Sequence, residues 1–107
     1  MKFQLILHEG VVEKALRPTL AREIRRLYAS RFGGAEDDVT VDVTEIPKGR
    51  FFTAGEPSRS SLIGGSVPKG TTSADRTRLM SDITAIWCEV TGCSPNEVVV
   101  SVSDAPA

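Results

Sequence analysis

Cysteine, histidine and the aromatic residues are scarce in this chain. It has two cysteines, one histidine, one tryptophan, one tyrosine and four phenylalanines among 107 residues. Cys88 and Cys93 stand near the end of a predicted helix without a second Cys or His pair, which removes the ligand set of a zinc site. Cys88 reads as a core thiol. Excess charge of one sign is missing too: 13 basic against 14 acidic residues give a formal net charge of -1. No overall field therefore draws the chain to nucleic acid or to an anionic membrane. Arg22, Arg25, Arg26 and Arg31 do bunch locally, as they would on the wet face of a helix. No apolar run is long enough to span a bilayer. The run from Met1 to Glu9 is too short for a signal peptide, and no cleavage pattern follows it. A cytoplasmic protein with no cofactor, metal, nucleic-acid or membrane partner is the expectation. Phosphate-binding loops, dinucleotide fingerprints and nucleophile–base–acid triads are absent, since Gly64-Gly65 and the other glycines do not fit their spacings.

What is present divides into short, well-punctuated segments. The length suits one domain, 1–107, and is too short for two. Lys2 to His8 is rich in apolar residues and ends at Glu9-Gly10, as a buried strand and its exit turn do. Leu16, Leu20, Ile24, Leu27 and Tyr28 then recur at helical spacing. Pro18 is tolerated only in a first turn, so the regular helix is predicted to begin near Ala15 to Arg17 and to stop at Gly33-Gly34. Val39 to Thr44 alternates as a strand with one buried face does. Pro47 to Ser60 carries glycine, proline and small polar residues, a long loop with room for a short hairpin; loops of this length in compact domains are often functional. Ser61 to Val67 reads as a third long strand, with Gly64-Gly65 marking a bulge or a close backbone approach. Thr72 or Ser73 is placed to cap a second helix striped by Leu79, Ile83, Ile86, Trp87 and Val90, which Gly92 and Pro95 end. Glu97 to Ser103 is the last strand, and its Val98-Val99-Val100 run suggests burial on both faces.

The order is thus β-α-β twice, in halves of about 1–50 and 61–107, and the halves repeat. Val39, Val41, Val43, Thr44, Glu45 and Pro47 recur about sixty positions on as Val98, Val100, Val102, Ser103, Asp104 and Pro106, and Gly10 meets Gly70. A ferredoxin-like sandwich shares this element order, but its second and third strands usually pair closely. The long connection here favours two β-α-β units laid side by side.

Several stretches together resemble the tautomerase superfamily. Ile6-Leu7-His8-Glu9-Gly10 looks like the first strand and turn of 4-oxalocrotonate tautomerase, and Thr44-Glu45-Ile46-Pro47-Lys48-Gly49-Arg50-Phe51 is similar to the end of its second strand and the segment beyond. The tandem length, and Ser73-Ala74-Asp75 opening the second helix, look more like cis-3-chloroacrylic acid dehalogenase. The resemblance implies an α+β fold of tautomerase/MIF-like type, a four-stranded sheet backed by two helices, with three subunits forming a homotrimer. It implies cofactor-free chemistry on a small oxo- or unsaturated carboxylic acid, by an isomerase or hydratase. The usual catalyst is an amino-terminal proline, and arginines hold the substrate carboxylate.

The pocket pattern is depleted in this chain. Met1 stands where the proline belongs, and Lys2 is too bulky for ordinary removal of an initiator Met, so Met1 is expected to stay. Val11 stands where arginine is common after the turn, Tyr28 where dehalogenase-like members have a histidine, Lys69 and Thr72 near their paired arginines, and Ser101 near their last-strand tyrosine. Their carboxylate beyond that tyrosine has no counterpart. Expected catalytic residues are therefore the Met1 amine as base, with Tyr28 as acid and Arg50 as carboxylate clamp. Lys69, Thr72, Phe51 and Ser101 are the expected substrate contacts. Each has a plainer role available: an inert terminus, core packing for Tyr28, a solvated arginine or intersubunit salt bridge for Arg50, an interface for Phe51 or Phe52. His8 is read as structural, on the strand face with Lys2, Gln4 and Ile6. Two functional readings follow, a tautomerase-like enzyme with a non-proline terminus or a catalytically inactive trimeric binding protein. A ferredoxin-like regulatory domain is the third.

Overall fold

The computed structural model describes residues 2–47, 49–50, 52–53, 55–57 and 59–104. Met1 and Phe51 therefore lie outside the described residues. Eight elements carry the fold: β1 (Lys2–His8), α1 (Arg17–Phe32), β2 (Thr40–Ile46), β3 (Phe52–Thr53), β4 (Glu56–Pro57), β5 (Ser61–Val67), α2 (Ser73–Thr91) and β6 (Val98–Asp104), with three short 3-10 turns between them. The main sheet runs β2-β1-β5-β6. Its outer pairs, β1 with β2 and β5 with β6, are parallel, and the central β1–β5 pair is antiparallel. Two β-α-β units thus meet strand to strand, and the ferredoxin-like alternative is set aside. The short antiparallel β3–β4 pair sits inside the long connection, where the loop had room for a hairpin.

Local chemistry explains the helix ends. A 3-10 turn, Lys14–Leu16, leads into α1, where Pro18 falls in the first turn and loses no helical hydrogen bond. Gly33 ends α1 at φ 79°, its N–H donating to the Ala29 carbonyl at 2.8 Å. Thr72 caps α2, its side-chain oxygen accepting from the Asp75 N–H at 3.1 Å. Gly92 closes α2 in the left-handed conformation, as a helix terminator without a Cβ can.

Both helices cover one face of the sheet. Phe3, Leu5 and Leu7 from β1 and Ile63 and Val67 from β5 meet Leu20, Ile24 and Tyr28 of α1 and Leu79, Ile83 and Trp87 of α2 in one buried core. Phe3 lies opposite Gly65, and a Cβ there would come within 2.3 Å of the Phe3 ring, so Gly65 is the close approach that the glycine pair suggested. The second face is bare, which corrects the reading of the last strand. Val98 is buried at 8% exposure, but Val99 is 53% exposed, because only one face has helices on it. Register aligns Thr44, Ile6, Leu62 and Val99 as one row of that face and Asp42, Gln4, Gly64 and Ser101 as the next. His8, read as structural, is buried at the end of β1. No helix among the described residues is long and apolar enough to cross a membrane.

Candidate active site

Strand direction decides which candidates can meet. Lys2 pairs with Thr40 at one end of the sheet and His8 with Ile46 at the other. Because β5 is antiparallel to β1, Val67 and the turn after it return to the Lys2 end. Lys69 and Thr72 sit in that turn, so both lie where β1 begins. They line one cavity of about 360 Å³ together with Gly70, Thr71 and Asp75, and the end of α1 supplies Arg31 and Phe32.

The turn is firmly braced. Gly70 adopts φ 92°, which favours glycine. Thr71 donates both its N–H (3.1 Å) and its hydroxyl (2.6 Å) to the Pro68 carbonyl. Arg76 holds the Thr71 carbonyl from the far side at 3.0 Å and makes an ion pair with Asp104 on β6. Thr72 uses its oxygen as an acceptor for the helix cap, which leaves the hydroxyl hydrogen to donate onward. Lys69 is exposed at the cavity mouth. Arg31 is held to Asp82 of α2 by a charge-assisted hydrogen bond through Nη2, while its Nη1 is shielded and makes no hydrogen bond. Sequence reasoning placed Arg31 only among the wet-face arginines of α1; a side chain 23% exposed is a correction to that. In the sequence it is marked only as the basic residue of the last turn of α1.

Three expected site residues lie elsewhere. Tyr28 is 3% exposed, edge-to-face with Phe3 at 5.5 Å and tilted against Phe32 at 4.7 Å. Its hydroxyl donates to the Ser66 carbonyl at 3.2 Å, and burial pushes the phenol above its ordinary pKa. It packs in the core with its hydroxyl bonded to a carbonyl and does not line the cavity. Arg50 is exposed and follows β2, so it leaves the sheet at the His8 end. β1 is seven residues long, about 20 Å at strand rise. The four residues from Ile46 to Arg50 reach at most about 14 Å, and Arg50 does not line the cavity that holds Lys69. Ser101 lies mid-sheet on the bare face, opposite Gly64, and does not line the cavity. Among the described residues no group of three His, Cys, Asp or Glu side chains could hold a metal ion.

The geometry has close counterparts among solved structures. N1, a member of the cis-3-chloroacrylic acid dehalogenase family, matches 99% of this chain and 76% of its own at TM-score 0.89 and 21% identity. A fused 4-OT in a symmetric trimer matches 99% and 86% at TM-score 0.86 and 17% identity. Those likenesses speak for the fold. Native Ps01740 goes further, with 30% identity and TM-score 0.92 over 100% of this chain and 96% of its own. The chain belongs to the tautomerase superfamily. No family model matches it, and a search of curated proteins finds no significant match. The turn near the start of β1 offers Lys69 and Thr72, and the arginine beside them comes from the end of α1.

Proposed function

We propose that this cavity takes the carboxylate of a small oxo- or unsaturated carboxylic acid, and that the Met1 amine serves as base in a cofactor-free proton transfer or hydration. The observation that carries the reading is the meeting of Lys69, Thr72 and Arg31 around one cavity at the end of the sheet where β1 begins. An α-amino group has an ordinary pKa of about 8, and cations nearby favour its neutral, basic form. The working unit is a homotrimer. Its support is the bare sheet face, where Leu62 is 38% and Val99 53% exposed beside Ile6, together with the trimeric state named for the fused 4-OT neighbour. In such an assembly Arg50, Phe51 and Ser101 serve a site made with a neighbouring copy.

One observation favours the second reading, an inactive binding protein of the same fold: Tyr28, the expected acid, is bonded to the Ser66 carbonyl and does not line the cavity. Two measurements separate the readings. Phenylpyruvate and 2-hydroxymuconate are assayed with the protein as it stands and with its amino terminus acetylated. In parallel the protein is incubated with 2-oxo-3-pentynoate, whose alkyne accepts an amine. The nitrogen adds to the far alkyne carbon and a proton goes to the near one, so the peptide gains one whole molecule's mass. Turnover that acetylation abolishes, with the added mass on Met1, supports the enzyme. Equal rates before and after acetylation, or label only elsewhere, sink the Met1 assignment.

A further inference from the structure

We infer that Arg31 is the residue that fixes the acid's carboxylate, a specificity-determining side chain of the cavity contributed by α1. The inference rests on the carboxylate reading above and adds which group does the holding and why only one end of the fold can do it.

The internal repeat supplies the control. Leu20, Ile24 and Tyr28 of α1 correspond to Leu79, Ile83 and Trp87 of α2, each buried, and Gly10 corresponds to Gly70. On that correspondence Arg31 stands where α2 has Val90, Asp82 where α1 has Glu23, and Lys69 where the first turn has Glu9. The contact made by Arg31 and Asp82 is thus replaced, in the other half, by Val90 and Glu23, which line a separate cavity of about 460 Å³ with Glu89. Glu9, the counterpart of Lys69, lines neither of these cavities but a third with Gly10, Arg17 and Glu45. The ends of the two helices thus present an arginine in one half and a valine in the other.

Arg31 is prepared for an anion in a way an ordinary surface arginine is not. Asp82 engages one terminal nitrogen and fixes the plane of the guanidinium, and most of the side chain is withdrawn from water. The second terminal nitrogen is shielded and has no acceptor. Asp75, the one carboxylate of the lining, faces Arg78 at 3.9 Å. Arg31 lines the cavity with the plane of its guanidinium fixed, and a charge-assisted hydrogen bond from its partly exposed edge suits a carboxylate. Lys69 at the mouth adds a second positive charge.

The test is a nuclear-magnetic-resonance titration of the full chain with phenylpyruvate and with its methyl ester. The acid is expected to move the Arg31 side-chain signal and the amides of Gly70 to Asp75, and to leave Glu23 and Glu89 unmoved. The ester is expected to bind at least about tenfold more weakly. Arg31→Gln should weaken the acid by about ten- to a hundredfold and remove its preference over the ester, while Arg31→Lys keeps part of that preference. Arg31→Gln with Asp82→Asn removes both charges together, so no unpaired charge is left to unfold the protein. No binding by the unchanged chain, shifts centred on Glu23 and Glu89, or an unchanged acid preference in the double variant would each overturn the inference. Labelling on Met1 with Arg31→Gln as sensitive as the unchanged protein defeats this inference and spares the enzyme reading. Acid binding at Arg31 without label on Met1 does the reverse.

Discussion

At one end of the sheet Arg17 pairs with Glu45, and in the matching place of the second half Arg76 pairs with Asp104. Both pairs tie the start of a helix to the last turn of an outer strand. The buried faces of the helices match as well, leucine for leucine, isoleucine for isoleucine, and tyrosine for tryptophan. The two halves part where helices and turns open to solvent. Lys69 answers Glu9 and Arg31 answers Val90. A packed core must keep volume and shape in both halves to fill the same space. Side chains around an open cavity carry no such demand, so the chemistry of the two ends can diverge on one frame.

The comparison can be broken hardest at its shared core. Trp87→Ala is expected to cost about 3–5 kcal/mol, because the indole is wholly buried; chemical denaturation would measure it. Gly65→Ala should cost about 1–3 kcal/mol through its clash with the Phe3 ring. Gly64→Ala, whose added carbon meets only Ser101 Oγ at 3.8 Å, should cost much less. If both alanines are tolerated equally, the Phe3 packing is not what the backbone was shaped around. Lys69→Glu copies the first turn into the second, and should lower phenylpyruvate affinity about tenfold without changing the melting temperature by more than a degree or two. Tyr28→Phe tests the packing role: it should lose about 1 kcal/mol for the hydrogen bond to Ser66 and leave ligand binding intact.

Acid should affect the outer ion pair in a defined direction. The hydrogen bond from Arg17 holds the Glu45 carboxyl below its ordinary value. A depressed carboxyl contributes stability above its unfolded pKa and loses it as pH falls through the lower, folded one. Melting temperatures followed from neutral pH into acid should therefore fall less steeply for Glu45→Gln. Identical slopes would mean the pair contributes nothing in solution.

Much of the architecture was legible because periodicity reports burial on the helix-covered side. The repeat at about sixty residues, the position of Pro18, the glycine stops and the Thr72 cap all come from local backbone chemistry. The site was only half legible. Lys69 and Thr72 were found through the family's arginine pair and do share a cavity. Arg31 was missed because a helix-face arginine and a cavity arginine have the same spacing, and only the neighbouring α2 distinguishes them. Arg50 lies in the loop after the second strand, as read, and leaves the sheet at the end away from Lys69, which one chain's sequence does not reveal. Val99 was read as buried because an unbroken valine run does not reveal whether a second layer covers the sheet.

The hydrogen bonds that Thr71, Thr72 and Arg76 make around Gly70 set the β5–α2 turn before any guest arrives. A molecule of a few atoms releases too little free energy on contact to order a floppy loop as well. On the proposed reading, that prior rigidity is what lets so small an acid be captured, and its association is set by diffusion and charge.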